Sequence, residues 1–155
     1  KQRLRLLDEN QLTINDIQAV IASMQPLEGA KQFLDELREH YQVIILSDTF
    51  YEFAAPFMAQ LGQPTLFCHR LQLDNQGRVE TYILRQVDPK RHAVIALKQL
   101  NFTVYAAGDS YNDTSMLAEA DAGFLFRSPE NVISEFSQFP HTTEYEELRS
   151  YFDSV

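Results

Sequence analysis

The chain is poor in the residues that build disulfides and membrane spans. Its single cysteine, Cys68, excludes a disulfide framework and a cysteine zinc site, and it makes the cytoplasm the simplest compartment. Apolar runs such as residues 43–46 are far too short to cross a bilayer, and no secretory signal opens the chain. We therefore expect a cytoplasmic protein without a membrane partner.

Positive charge is also scarce. The chain has 13 Lys and Arg against 22 Asp and Glu, which gives a formal net charge of −9 over 155 residues. This balance argues against a nucleic-acid surface, because phosphate backbones are bound by clusters of cations. A phosphorylated substrate would need a locally positive site or a metal ion. The length fits one domain, with room for a small appendage.

An initial methionine is missing as well. The chain opens at Lys1, already inside an amphipathic pattern of leucines, with no cap or turn before it. We expect a cut or incomplete sequence. The alternative is the simple removal of an initiator residue.

What the chain does contain is an alternation of short apolar runs and amphipathic segments. Strands are predicted at residues 43–46, 66–68, 103–107 and 123–126. Residues 71–73 and 79–84 flank a turn sequence, Asp-Asn-Gln-Gly, which predicts a β-hairpin. Strands separated by helices predict an α/β fold, a parallel sheet with helices on both faces, and such sheets bind ligands beyond the carboxyl ends of their strands.

The third predicted strand runs into the sequence Gly-Asp-Ser-Tyr-Asn-Asp at positions 108–113. It places two carboxylates, Asp109 and Asp113, four positions apart on a glycine turn at the end of a buried strand. Mg²⁺ takes oxygen ligands and few of them from protein, so this turn is a candidate metal site. The alternative is a helix cap, with Asp109 or Ser110 capping a helix that begins near Asn112.

Ser47 follows the first predicted strand and offers a hydroxyl to a phosphoryl group. The backbone N–H groups of Asp48 and Thr49 are placed to join it. The alternative is that Ser47 and Asp48 close the strand and cap the next helix.

Lys90 lies at the start of a predicted helix, in the sequence Asp-Pro-Lys-Arg-His. A lysine is electrostatically misplaced at a helix amino end, which carries partial positive charge. A bound phosphate, Asp109 or Asp113 would compensate it. Lys90 is otherwise a solvated surface residue, and Arg91 is the neighbouring candidate for the same role.

The order Ser47, Lys90 and the acidic turn resembles the second, third and fourth motifs of the haloacid dehalogenase-like phosphotransferases. Within them the chain is most similar to the phosphoserine phosphatases, and in particular to the branch that also transfers phosphate to homoserine. Ordinary phosphoserine phosphatases have two glycines after the motif serine, where this chain has Asp48 and Thr49. The resemblance implies a Rossmann-like parallel sheet in residues 26–155 and part of a helical cap in residues 1–25.

The same resemblance implies roles for these residues. Ser47 binds the phosphate, with Asp48 and Thr49 beside it, and Lys90 neutralises its charge. Asn112 contacts the phosphate side of the site.

For the metal and the substrate carboxylate, the resemblance also assigns residues. Asp109 and Asp113 form the Mg²⁺ site, where Asp109 ligates the ion and Asp113 orients Lys90 or a water on the ion. Arg3 clamps the substrate carboxylate, with Arg5 as second choice, because a guanidinium is a planar fork of donors. Arg3 is otherwise a surface helix residue.

The first motif of that family, Asp-x-Asp or Asp-x-Glu, is missing from the chain. Asp48 does not replace it, because Phe50 stands two residues on and Asp48 directly follows the motif serine. In this fold the first strand lies between the strand that ends at Ser47 and the one that ends at Gly108. We therefore expect upstream residues that carry this strand and the nucleophilic aspartate.

The function implied is a Mg²⁺-dependent phosphatase of O-phosphoserine in serine biosynthesis, with an aspartyl-phosphate intermediate and possible phosphotransfer to homoserine. On this view the 155 residues are inactive by themselves, and the oligomeric state stays open. One alternative is a phosphate-binding regulatory module similar to a response-regulator receiver. Another is a family member that binds ligand without catalysis.

Overall fold

A computed structural model describes Leu7 and residues 9–155, which divide between Arg85 and Gln86 into two compact units. The first unit contains, in order, α1 (Ile14–Ser23), α2 (Ala30–His40), β1 (Ile44–Phe50), α3 (Tyr51–Gln60), β2 (Thr65–Leu73) and β3 (Val79–Ile83). The second contains α4 (Pro89–Gln99), β4 (Tyr105–Gly108), a 3₁₀ turn (Tyr111–Asp113), α5 (Thr114–Glu119), β5 (Ala122–Phe126), α6 (Glu130–Glu135), β6 (His141–Thr142) and α7 (Tyr145–Asp153).

The sheet of the first unit has the order β1-β2-β3. β2 pairs with β1 in parallel through its first half and with β3 in antiparallel through its second half. It is therefore one long strand, where the sequence predicted two short ones at residues 66–68 and 71–73. The predicted hairpin is present, and the N–H of Asp74 donates to the carbonyl of Arg78 across its turn.

A bulge interrupts the pairing of β1. Leu46 pairs with Phe67 and Phe50 pairs with His69, so Ser47, Asp48 and Thr49 stand opposite a single residue of β2. The strand predicted to end at residue 46 thus continues to Phe50, and α3 begins at the next residue. A bulge bends its strand and redirects its side chains. The side chains of these three polar residues therefore depart from the regular alternation of the strand.

Helix α1 begins at a capping box. The carboxylate of Asp16 accepts the backbone N–H of Thr13 at 2.8 Å and the Thr13 hydroxyl at 2.7 Å. Ile14 is buried, whereas Val20 on the same helix is 65% exposed.

The sheet of the second unit is parallel throughout, in the order β4-β5-β6. Its core is built from Leu117, Leu125, Val94 and Val132, which are almost completely buried. Gly123 on β5 lets α5 pack closely, because a Cβ there would lie 2.5 Å from the carbonyl oxygen of Leu117. A larger residue would push α5 away from the sheet.

β1 and β4 are end strands, each in its own three-stranded sheet, within the part of the chain that the structure describes. An end strand presents one row of unpaired backbone groups. The expected further strand, supplied from upstream, stays a prediction. None of the described helices is both long and apolar enough to span a membrane.

Candidate active site

The acidic turn folds back on itself directly after β4. Ser110 precedes the 3₁₀ turn and forms a capping box with Asp113, whose Oδ2 accepts the N–H of Ser110 at 3.2 Å. Gly108 permits this reversal, because a Cβ there would lie 2.5 Å from the Cβ of Asp113. The capping interpretation is therefore right for Ser110, and it leaves the side chain of Asp109 exposed.

A buried ion pair joins α4 to this turn. Lys90 Nζ lies 2.7 Å from Asp113 Oδ1, and the two residues are only 8% and 5% exposed. The other carboxylate oxygen of Asp113 accepts the N–H groups of Asp109 at 3.1 Å and Ser110 at 3.2 Å. Lys90 is thus no solvated surface lysine, and Asp113 supplies the negative charge that its position at a helix amino end requires.

The charge on Asp113 is maintained by its partners. Burial would raise the pKa of its carboxyl, but the hydrogen bond and charge of Lys90 and the two backbone N–H groups outweigh that effect. The pKa of Asp113 is therefore held below its ordinary value, and its carboxylate stays ionised at neutral pH.

Local structure also explains the direction of Lys90. Asp88 adopts a left-handed conformation with φ of 46°, and Pro89 starts the helix at its first position. Ser115 Oγ donates to Asp88 Oδ1 at 2.9 Å and ties this turn to α5. Arg91 instead pairs with Glu119 at 2.9 Å, so it does not share the position of Lys90.

The oxygen donors of the turn fit a hard cation at Asp109. The Asp113 carboxylate is already engaged by Lys90 and two N–H groups, whereas Asp109 is exposed and its Oδ1 lies 3.3 Å from Ser110 Oγ. Mg²⁺ is commonly held by one or two protein carboxylates plus waters and substrate oxygens. Across Leu7 and residues 9–155, no group of three His, Cys, Asp or Glu side chains forms a closed metal cage.

The first unit holds the Ser47 group. The N–H of Thr49 donates to Ser47 Oγ at 3.3 Å, and Asp48 is exposed. Asp48 Oδ1 lies 3.9 Å from Nε2 of the buried His69, whose Nδ1 accepts the N–H of Arg85 at 3.1 Å. Sequence reasoning missed His69, because its position beside this group depends on the bulge.

Sequence reasoning also missed Gln18 and Glu52, which hold the first turn of α3. Gln18 donates to the backbone carbonyl of Glu52 at 2.7 Å, and the Glu52 carboxylate accepts the N–H of Leu71 at 2.8 Å. The available signal was Pro56, a proline inside an otherwise helical segment.

The predicted site residues fall into two groups. The first unit contains Ser47, Asp48 and Thr49, and the second contains Lys90, Asp109, Asn112 and Asp113. In the second group, Ser110 Oγ is hydrogen-bonded to Asn112 Oδ1, which places Asn112 on the same turn as the carboxylates. Arg3 and Arg5 lie outside the described residues, and the roles of all these residues stay predictions.

Comparison with known proteins gives two close relatives. The "Phosphoserine phosphatase ThrH" of Pseudomonas aeruginosa is 62% identical over 152 residues, which are 98% of this chain and 74% of that protein. A phosphoserine phosphatase of Pseudomonas syringae pv. tomato is 61% identical over 152 residues, and the chain spans 64% of its length.

Solved structures of phosphoserine phosphatases share the fold. A substrate-bound complex has a TM-score of 0.75 at 21% identity, covering 90% of this chain and 70% of that one. An apo form has a TM-score of 0.71 at 24% identity, covering 90% of this chain and 74% of that one. These matches confirm the α/β architecture that the sequence predicts.

A family model agrees with both comparisons. The model described as haloacid dehalogenase-like hydrolase matches residues 8–118, a range that contains Ser47, Lys90 and the acidic turn. The chain therefore belongs to the haloacid dehalogenase-like hydrolase family.

Proposed function

We propose that this protein is a Mg²⁺-dependent phosphatase that hydrolyses O-phosphoserine to serine and phosphate. The observation that carries the proposal is the buried Lys90–Asp113 pair, 2.7 Å apart, next to the exposed carboxylate of Asp109 at the end of a parallel strand. The choice of phosphoserine as the substrate is supported by the 62% identity to a protein named phosphoserine phosphatase. Family membership argues against the receiver-like alternative.

In this proposal each side chain has one task. Lys90 offsets the negative charge of the phosphoryl group, and its buried carboxylate partner keeps its amine in place. Ser47 and the backbone of the bulge donate hydrogen bonds to phosphate oxygens, and Asn112 contacts the same group. Asp109, with Asp113 behind it, is the candidate holder of Mg²⁺, which when bound offsets charge on the transferred phosphoryl group.

The attacking carboxylate is not found in the sequence, which contains no Asp-x-Asp or Asp-x-Glu. We propose that an aspartate from outside these 155 residues forms a bond to phosphorus, while the bond to the serine oxygen breaks and that oxygen takes a proton. Water then releases phosphate from the aspartyl phosphate. Homoserine in place of water would yield phosphohomoserine, and Asp48-Thr49 is the feature that suggests this acceptor.

Further proposals concern the remaining predictions. Arg3, with Arg5 as second choice, would bind the substrate carboxylate, and residues 1–25 would belong to a helical cap. A role in serine biosynthesis and a place in the cytoplasm follow from the same interpretation.

The test is phosphate release from phosphoserine, with and without Mg²⁺, by the 155-residue chain and by a version extended at its amino end. We expect activity only in the extended version, and we expect Asp109→Asn to lower kcat at least 100-fold through loss of metal-assisted charge stabilisation. Asp153→Asn, which alters an exposed carboxylate on α7, is the matched control. Added homoserine, with phosphohomoserine as the measured product, identifies the acceptor.

Three outcomes would contradict parts of this proposal. Activity in the 155-residue chain that Asp109→Asn abolishes would contradict an external nucleophile. No activity in either version would contradict the enzyme itself. Calorimetric binding of phosphoserine without turnover would favour a family member that only binds its ligand.

A further inference from the structure

Helix α3 contains a gap in its backbone hydrogen bonding. Pro56 lies inside the helix and has no N–H, so it cannot donate to the carbonyl of Glu52 four residues earlier. A partly buried carbonyl that loses its helical donor needs another partner, because an unsatisfied polar group is costly.

Gln18 supplies that partner from a different helix. Its Nε2 donates to the carbonyl oxygen of Glu52 at 2.7 Å, in a partly buried contact between residues 34 positions apart. The side chain of α1 therefore takes the place of the N–H that the proline removed. The exchange is specific to this position, since Glu52 is the residue whose carbonyl loses its helical donor to Pro56.

Glu52 is held from a second side as well. Its Oε2 accepts the N–H of the buried Leu71 at 2.8 Å, beyond His69, where the pairing of β2 with β1 ends. The first turn of α3 is thus tied through its backbone to α1 and through its side chain to β2. Glu52 is the acceptor in both hydrogen bonds.

The other end of α1 is attached separately. Gln60 Nε2 donates to the carbonyls of Ala22 at 3.3 Å and Met24 at 3.0 Å, where α1 ends. This second attachment involves the last turn of α3 and does not touch its first turn. It offers a matched comparison, because the same residue type links the same two helices.

Only Phe50 separates the first turn of α3 from the bulge of Ser47, Asp48 and Thr49. We propose that Gln18 is a positioning residue for this bulge: by replacing the hydrogen bond that Pro56 removes, it fixes the first turn of α3 and with it the direction of the phosphate-binding N–H and hydroxyl groups. This inference rests on the proposed function of the same site. A displacement of about 1 Å in such groups is enough to weaken catalysis markedly.

The test is a double-mutant cycle in the full-length protein, read by KM, kcat and the competitive Ki of inorganic phosphate. Gln18→Leu keeps the size of the side chain but removes its donor, and it should raise the Ki and KM roughly threefold to tenfold, the range of one net hydrogen bond. Pro56→Ala restores an N–H to the helix. In that background Gln18→Leu should change the Ki less than about twofold.

Gln60→Leu is the control. It removes the attachment at the far end of α1, so it should lower the melting temperature while leaving the Ki of phosphate unchanged. An equal rise in Ki for Gln18→Leu in the wild-type and the Pro56→Ala backgrounds would overturn the inference, and so would a loss of stability without any change in Ki or KM. A wild type without phosphatase activity overturns the proposed function, and the positioning role with it.

Discussion

At the scale of single residues, the feature of the second unit that matters most for the proposed chemistry is one buried ion pair. Lys90 is the second residue of α4 and Asp113 is the last residue of the 3₁₀ turn, and their opposite charges meet in the interior. The pair also links catalysis to stability in this proposal. The same amine that would neutralise a phosphoryl group is held in place by a carboxylate that accepts two further N–H groups.

Asp113→Asn should therefore lower the free energy of unfolding by about 3–5 kcal/mol, because it removes the carboxylate charge from a buried ion pair. Equilibrium unfolding in urea at pH 7 measures this change. The double variant Lys90→Met/Asp113→Asn, which keeps a side-chain oxygen for the N–H groups of Asp109 and Ser110, should recover most of it. A loss below about 1 kcal/mol for Asp113→Asn would contradict the importance of the pair.

The same substitution should change the acid limb of stability. Because the folded-state pKa of Asp113 lies below its unfolded value of 3.8, its contribution is fully present above that value and is lost as the pH falls through the folded pKa. The wild type should thus lose stability below about pH 4 more steeply than Asp113→Asn. Parallel acid limbs for the two proteins would argue against an ionised Asp113.

At the scale of elements, the packing of α5 on the sheet determines where the acidic turn lies. It begins directly after Asp113 and packs on β5 at Gly123, where the backbone of Leu117 comes within 2.5 Å of the place a Cβ would occupy. The glycine sets the spacing between helix and sheet. The position of the acidic turn depends on this spacing, because no linker separates the turn from the helix.

Gly123→Ala should therefore destabilise the protein by about 1–3 kcal/mol, since the added Cβ forces α5 away from β5. Urea unfolding measures this cost. Ala118→Gly, on the exposed side of α5, reports the intrinsic helix effect of about 1 kcal/mol without touching the sheet. A Gly123→Ala variant as stable as the wild type would show that the helix can shift freely.

At the scale of the whole molecule, sequence reasoning found what is encoded locally. The alternation of apolar runs and amphipathic segments predicted the α/β fold, and the acidic turn was recognised because its residues are contiguous. The bulge at Ser47 was missed, because it depends on the register of β1 against β2. The negative group beside Lys90 was left open between a bound phosphate, Asp109 and Asp113, because only the folded turn decides which carboxylate faces inward.

The only thiol of the whole chain offers the last prediction. Cys68 is 3% exposed, and burial, reinforced by the charge of Glu52, raises the pKa of its thiol to about 11. Only about one thiol in a thousand is then ionised at pH 8, and labelling by a thiol reagent must wait for the structure to open. We expect one equivalent to react slowly in the native protein and at once in denaturant. Ser154→Cys, which adds an exposed thiol near the end of the chain, should show one fast and one slow phase. Rapid stoichiometric labelling of the native wild type would contradict the burial of Cys68.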